Sequence, residues 1–275
     1  MKSIKEKIIA NIRPIGQIIG ILIIFFIPKA LNISDMVTKE PELKASQNWL
    51  DYVFYFVWNK GEIAIGLLLG IFVLFQIRKA NKDCLFNRGD VYKNYPYWWY
   101  WVCAKILGYS ECSLVLVPPD LQFKLVFKDT FTKYYCGEYE KKTSDTISVA
   151  KTNSPNSSDE VNIMIADTYP LQESQIPRAK RSKSTILISR DNVVDHNRYN
   201  SPELVKKVVN EVRNLPLNIK KINIYTTTNP QNAMKIAQDA FKLGERSSLD
   251  IITVFRQKRT GNRSFEKKGK IVYKR

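Results

Sequence analysis

Ile222-Asn223-Ile224-Tyr225-Thr226-Thr227-Thr228-Asn229-Pro230-Gln231-Asn232-Ala233 decides how the second half of this 275-residue chain is built. Its first four residues alternate and favour extended backbone, so they read as a strand. The hydroxyl- and amide-rich run after them leads into a helix that starts near Pro230. Ala233, Ile236, Ala237, Ala240 and Phe241 then recur at helical spacing up to Gly244, and Leu249–Phe255 reads as another strand. Upstream, Val161–Ala166 and Thr185–Ser189 are apolar strands. Ser201-Pro202-Glu203 supplies an N-cap and a first-turn proline for a helix through Leu204, Val205, Val208, Val209, Val212 and Leu215, stopped by Pro216. Strands alternating with helices predict right-handed crossovers and a Rossmann-like, mostly parallel α/β domain over 161–256.

Sheets of this kind take ligands outside the carboxyl ends of their strands, where helix N-termini offer free N–H groups. Three loops reach that edge. The first gives Asp167, Thr168 and Tyr169, before Pro170. The second, Arg190–His196, gives Arg190 and Asn192. The third gives Thr226, Thr227, Thr228, Asn229, Gln231 and Asn232. One residue, Thr228 or Asn229, would suffice to cap the following helix, so the surplus of polar groups points to ligand binding, with phosphates and base edges the natural match. Catalysis has little support. His196 is the only histidine, and the named nucleophile-elbow, P-loop and dinucleotide fingerprints do not occur. Asp191 and Asp195 could hold a divalent cation, but two loop carboxylates are a thin ligand set. No catalytic residue, metal or cofactor is expected.

The first 82 residues have another character. Pro14–Pro28 and Ile63–Ile77 are uncharged, which predicts two membrane spans over about 14–33 and 57–77. A cleavable signal peptide is the rival for the first, disfavoured by Pro28-Lys29 and by the second span. Residues 1–13 carry four basic groups and one acidic, residues 28–62 carry four and five, and Arg78, Lys79 and Lys82 follow the second span. The positive-inside rule then places both termini in the cytoplasm, with Trp49 and Trp58 at the outer interface. Gly16/Gly20 and Gly66/Gly70 repeat at four-residue spacing, which suits close helix approach, either inside the hairpin or between chains.

Charge separates the regions further. The chain has 43 Lys+Arg against 26 Asp+Glu, a net +17, of which the first 78 residues hold nine basic and six acidic groups. The remainder is strongly basic and suits a polyanion or an anionic inner-leaflet lipid surface. Arg178, Lys180, Arg181 and Lys183 form one cluster, and residues 256–275 hold nine basic side chains against one acidic. The stretch 257–275 is expected to be a basic tail.

Between membrane and sheet, 83–150 forms a juxtamembrane segment. Tyr95–Trp101 packs six aromatics into seven residues, reading as an interfacial collar or a core corner, with base stacking a third reading. Leu114–Val117 and Gln122–Lys128 read as strands around Pro118-Pro119-Asp120, and 151–160 is a polar linker. Cys84, Cys103, Cys112 and Cys136 lack a C-x-x-C pair and read as reduced thiols.

This arrangement resembles bacterial two-transmembrane-helix antiphage effectors of the CBASS type, which carry a SAVED- or CARF-like sensor of cyclic oligonucleotides. The stretch Ile222–Ala233, its helix and the strand to Phe255 carry the resemblance, together with the domain order. The resemblance implies a nucleotide ligand, a homo-oligomer formed when ligand binds, and disruption of the bacterial inner membrane. The alternative is a non-enzymatic, membrane-anchored scaffold whose basic domain docks anionic lipid, nucleic acid or a partner protein.

Overall fold

A computed structural model describes residues 9–33, 49–89, 91–142, 144–152, 158–191, 197–242, 249–258 and 260–275; in the second helix the side chains at 51, 54 and 56–59 fall outside the description. The chain divides into two compact units. One comprises the chain up to Val91 with Trp98–Glu111, the other Tyr92–Tyr97 with Cys112–Arg275.

The first unit is a helical hairpin. Helix α1, Ile12–Ala30, and helix α2, Trp49–Asn81, are apolar over Ile12–Ala30 and Lys60–Asn81, each long enough to cross a bilayer. Trp49 is exposed, while the Trp58 side chain lies outside the described residues. Polar side chains close one end of the hairpin. The buried Asn81 donates to Gln17 Oε1 (3.0 Å) and to the Leu107 carbonyl (2.8 Å), while Arg13 donates to Asn81 Oδ1 (3.1 Å). Trp99 Nε1 donates to Asn11 Oδ1 at 2.9 Å. Gly108, at φ +78°, allows the close approach here, since a Cβ on it would sit 2.9 Å from Arg78 Cα. The aromatic run serves two ends: Tyr95 and Tyr100 are buried, whereas Trp98 and Trp101 are exposed.

The second unit is built on a six-stranded sheet. Its strands are β1 Ile147–Thr152, β2 Glu160–Ala166, β3 Ser184–Arg190, β4 Lys221–Thr226, β5 Ile251–Phe255 and β6 Lys270–Lys274, in the order β1-β3-β2-β4-β5-β6. The four inner strands run parallel and both edge strands antiparallel, so the sheet is mixed. Strand β6 lies inside the stretch expected to be a loose basic tail. Its Ile-Val-Tyr core pairs with β5 and buries Val272, a short signal masked by the charges around it.

Helices α3 Pro119–Phe127, α4 Pro202–Arg213 and α5 Pro230–Ile236 belong to this unit. Ser201 caps α4 by accepting from Leu204 N, and Leu204, Val205, Val208, Val209 and Val212 form its buried face. Such a cap contributes about 1 kcal/mol. The alternating run Gln122–Lys128, expected as a strand, is helix instead. Pro119 at the first helical position and Asp120 in the first turn start it, and Leu121, Phe123, Leu125 and Val126 are buried on several sides, which removes the two-residue rhythm that suggested a strand. Leu114–Val117 is likewise no strand, and Leu116 has φ +60°. Past Ile236 the helix widens into a π-turn, Ala237–Lys242; Gly244 lies outside the described residues.

Met164, Ala166, Leu187, Tyr225 and Phe255 point to one side of the sheet, where Leu171, Ile176 and Phe265 cover them. These three covering residues come from the connections that follow β2 and β5 and stand outside any helix. The same two connections form walls of the cleft described next.

Candidate functional site

Sequence order against spatial order locates the site. Strand β2 connects to β3 on one side, whereas β4, on its other side, connects outward through α5 to β5. The carboxyl ends of β2 and β4 thus flank a topological switch point, the place where open α/β sheets take ligands. Asp167–Tyr169 and Thr226–Thr228 meet there, since Thr227 Oγ1 donates to the Tyr169 carbonyl (2.9 Å) and accepts from Asp167 N (3.2 Å).

A cleft of about 550 Å³ opens at this point. Tyr169, Thr226, Thr227 and Thr228 form one wall, and Arg256, Gln257 and Lys258, at the end of β5, form another. Tyr92, Asn94, Pro119, Thr260 and Glu266 complete it. Arg256 is committed to structure. Its Nη2 donates to Asp120 Oδ2 at 2.8 Å, its Nε to Oδ1, and its Nη1 to Asn94 Oδ1 at 2.9 Å. Burial works against its charge, yet the Asp120 carboxylate raises its pKa. Lys258 is exposed at the rim. Gln257 Nε2 is buried and has no hydrogen-bond acceptor. Unpaired buried donors are rare, because leaving one unmet costs about 1–3 kcal/mol. The structure holds other buried polar atoms of this kind, Thr168 Oγ1 and Tyr225 Oη among them, and Gln257 is the one whose residue lines this cleft.

The threonines are partly spent on their own turn. Thr226 and Thr228 share a hydroxyl contact of 2.8 Å, and Thr228 N donates to Thr226 Oγ1 at 3.1 Å. One hydroxyl of that pair spends its proton on the other, and Thr227 spends its own on the Tyr169 carbonyl, so one hydroxyl proton of the three is left to donate.

Other residues expected to meet a ligand form a buried network behind the cleft. Asp167 Oδ2 accepts from Asn229 N (3.2 Å), Asn229 Nδ2 (3.2 Å) and Asn232 Nδ2 (2.9 Å). Arg190 Nε lies 3.6 Å from Asp167 Oδ1, and its Nη2 donates to the carbonyls of Asp167 and Asn197, both at 3.1 Å. The guanidinium sits 4.9 Å from the centroid of the Tyr199 ring. Asn229 also caps α5 by accepting from Asn232 N, and Asn232 Oδ1 accepts from Ser201 N at the start of α4. The network therefore ties the ends of β2 and β3 to the starts of α4 and α5. Burial pushes the Asp167 carboxyl above its usual range, against the pull of its N–H donors and Arg190.

Asp167, Arg190, Asn229 and Asn232 are all almost completely buried, as is Thr168. Gln231 is half-buried on α5 and does not line the cleft. Asn192, Asp195 and His196 lie outside the described residues. Among the described residues no group of three or more His, Cys, Asp or Glu side chains is placed to hold a metal ion. Sequence reasoning missed Gln257 and Lys258, although the rule that picked the other strand ends applies equally to the end of β5. It had no local signal for Tyr92 or Asn94.

Of the four span glycines, Gly66 is used inside the hairpin, since a Cβ there would fall 2.2 Å from the Phe25 carbonyl oxygen. Gly70 only touches Phe25, and Gly16 and Gly20 have nothing within 4 Å.

A family model described as the SMODS- and Ubiquitin system-associated 2TM effector domain matches residues 1–272. No curated protein matches the chain. Among solved structures, the Acinetobacter baumannii Cap4 SAVED/CARF-domain containing receptor with the cyclic trinucleotide 3'3'3'-cAAA is similar at 8% identity and a TM-score of 0.42, over 79% of this chain and 59% of that one. The same receptor with 2'3'3'-cAAA is similar at 8% identity and a TM-score of 0.39, over 60% of this chain and 39% of that one. The chain thus spans less than two thirds of that receptor's length.

Proposed function

The chain belongs to the SMODS- and Ubiquitin system-associated 2TM effector family, and from that premise we propose that it is an antiphage membrane effector that senses a nucleotide second messenger. In this reading the Rossmann-like sheet binds the messenger in the switch-point cleft. Binding favours a homo-oligomer, and the clustered hairpins disrupt the bacterial inner membrane. Both termini face the cytoplasm, as the charges flanking the spans suggest. A ligand drives this only by preferring the assembled state.

One observation carries the reading. The cleft at the switch point combines the Thr226–Thr228 hydroxyls, the orphan Gln257 amide and Lys258 in a volume of nucleotide size. A cation, the Gln257 N–H and the one remaining O–H of the Thr226/Thr228 pair match a phosphate and the acceptor edge of a base.

The test uses the full chain in nanodiscs, with thermal shift against AMP, GMP and cyclic di- and trinucleotides. A ligand at 100 times its Kd stabilises a fold by about 2.7 kcal/mol, a readable shift. A selective shift that is lost in Thr228→Val/Gln257→Leu supports the sensor. A flat response from folded protein rejects it and favours the lipid-docking scaffold.

A further inference from the structure

Strand β1 is an edge of the six-stranded sheet. It pairs with β3 on one side, and among the described residues no strand pairs with it on the other. The alternation of an antiparallel ladder fixes which of its backbone groups face outward. Asp191 N donates to the Thr146 carbonyl, so Thr146, Ser148, Ala150 and Thr152 turn their backbone groups toward β3. The N–H and C=O groups of Ile147, Val149 and Lys151 therefore point away from the sheet. These three side chains share the face that α4 covers, since Lys151 Nζ lies 2.7 Å from Glu211 Oε2 on that helix. Ile147 and Val149 are only half-buried there.

Sheet proteins guard such edges with lysines, prolines or bulges. The opposite edge, β6, is guarded in this way: lysines stand at both its ends, and its ladder with β5 shifts register between Ile252 and Thr253. Strand β1 has no proline, keeps one register over all six residues, and its one lysine is paired with Glu211. An open, regular edge of this kind accepts another strand.

Its sequence is complementary to itself. Two antiparallel copies with their outward groups facing each other set Val149 opposite Val149 on a twofold axis and Ile147 opposite Lys151 on either side. No like charges meet, and the half-buried Ile147 and Val149 are flanked by their counterparts. Moving the axis to Lys151 sets lysine against lysine, and moving it to Ile147 leaves fewer outward groups paired. The same pairing of β6 about Val272 sets Lys270 against Lys274 at both ends, and like charges directly opposite destabilise a ladder.

We propose that β1 is a dimerisation edge, on which a second copy of this chain adds its own β1 antiparallel about Val149 to form one continuous sheet. The contact is isologous, so it closes at two copies. It goes beyond the sensor reading, because it forms without nucleotide, and growth on ligand binding has to use another surface.

Analytical ultracentrifugation of the full chain in non-ionic detergent, without nucleotide and over a dilution series, tests this, with melting curves to show that each variant folds. The wild type is expected to be a dimer that dissociates on dilution. Val149→Lys sets two lysines on the axis and should raise the dimer Kd about tenfold or more. Val149→Pro removes an outward N–H from each copy without touching a bond to β3, and should weaken the dimer while the fold stands. Ile147→Lys and Ile147→Glu lose the same apolar contact but face Lys151 with opposite signs. The lysine variant should dimerise at least about threefold more weakly than the glutamate variant. A wild type that stays monomeric at the highest concentration overturns the proposal. So does a dimer that survives unchanged in folded Val149→Lys and Val149→Pro, since the contact then lies elsewhere. Equal Kd values for the two Ile147 variants overturn the Val149-centred register. The sensor reading is untouched by all of these, because nucleotide binding tests it separately.

Discussion

Two groups of polar residues sit at the same edge of the same sheet and do different work. Asp167, Arg190, Asn229 and Asn232 are buried, and they tie four elements together through bonds to one another. Thr228, Gln257 and Lys258 line an open cleft, and there the Gln257 amide lacks an acceptor. Both groups lie just past the ends of parallel strands, and both are rich in hydroxyls, amides and charge. Position at a strand end therefore does not distinguish a residue that holds helices to strands from one that lines an open cleft. What distinguishes them is whether the fold encloses them between elements or leaves them on the wall of a cleft.

Arg190→Ala should separate the groups most sharply. It removes the cation beside Asp167 and leaves a buried carboxylate short of its partner, a loss of about 3–5 kcal/mol in comparable buried pairs. The expected outcome is a large fall in Tm or failure to fold, read by thermal denaturation of the chain in detergent. A variant that keeps wild-type stability would show that the network is no staple. Asn232→Ala should cost less, about 1–3 kcal/mol, because it strips one donor from Asp167 and the acceptor of Ser201 N.

The cleft residues should behave in the opposite way. Gln257→Leu deletes a donor with nothing to donate to, so stability should hold or rise slightly. Ligand affinity should fall by about 2- to 13-fold, the worth of one ordinary hydrogen bond. Thermal denaturation without ligand and titration with it read the two effects separately. Loss of stability with unchanged affinity would move Gln257 to the structural group.

Much of this architecture is written in local patterns. Ser201-Pro202 and Asn229-Pro230 each announce a helix start, and both prolines stand at the first helical positions. The apolar runs of β2 to β5 are plain because parallel strands are buried on both faces. The edge strands were not legible. In β1, Ile-Ser-Val-Ala-Lys-Thr leaves most of its residues exposed, and β6 has one buried valine among lysines. Their place depends on neighbours far along the chain. Within the site, sequence pointed to the strand-end edge at which the cleft opens, because topology fixes that edge. It could not sort buried groups from open ones, since that depends on where Arg190 and Tyr199 arrive in space. It also passed over Gln257 and Lys258, because the density of charge after Phe255 looked like a tail.

The smallest expected effect lies on β2, whose two ends carry carboxyls with opposite tendencies. At its start, burial opposes the charge of Glu160, but hydrogen bonds from Lys180 and Asn223 and the charges of Lys180 and Lys183 hold its pKa below the ordinary value. At its other end, burial lifts Asp167 above that value. Linkage then gives opposite signs. Glu160 contributes stability at pH above its unfolded pKa, about 4.3, and loses it as pH falls through the lower folded value. The Asp167 contribution is complete below its unfolded pKa, about 3.9, and is lost as pH rises through the raised folded value. Glu160→Gln should therefore flatten the fall of Tm on the acid side of about pH 4. Asp167→Asn, though less stable throughout, should flatten the change on the alkaline side of that point. Melting curves from pH 3 to 7 compare the slopes, and the comparison fails if Glu160→Gln leaves the acid limb as steep as in the wild type. Such a result would mean that the Lys180 and Asn223 hydrogen bonds do not hold the Glu160 charge. The two ends of the strand would then differ in burial alone.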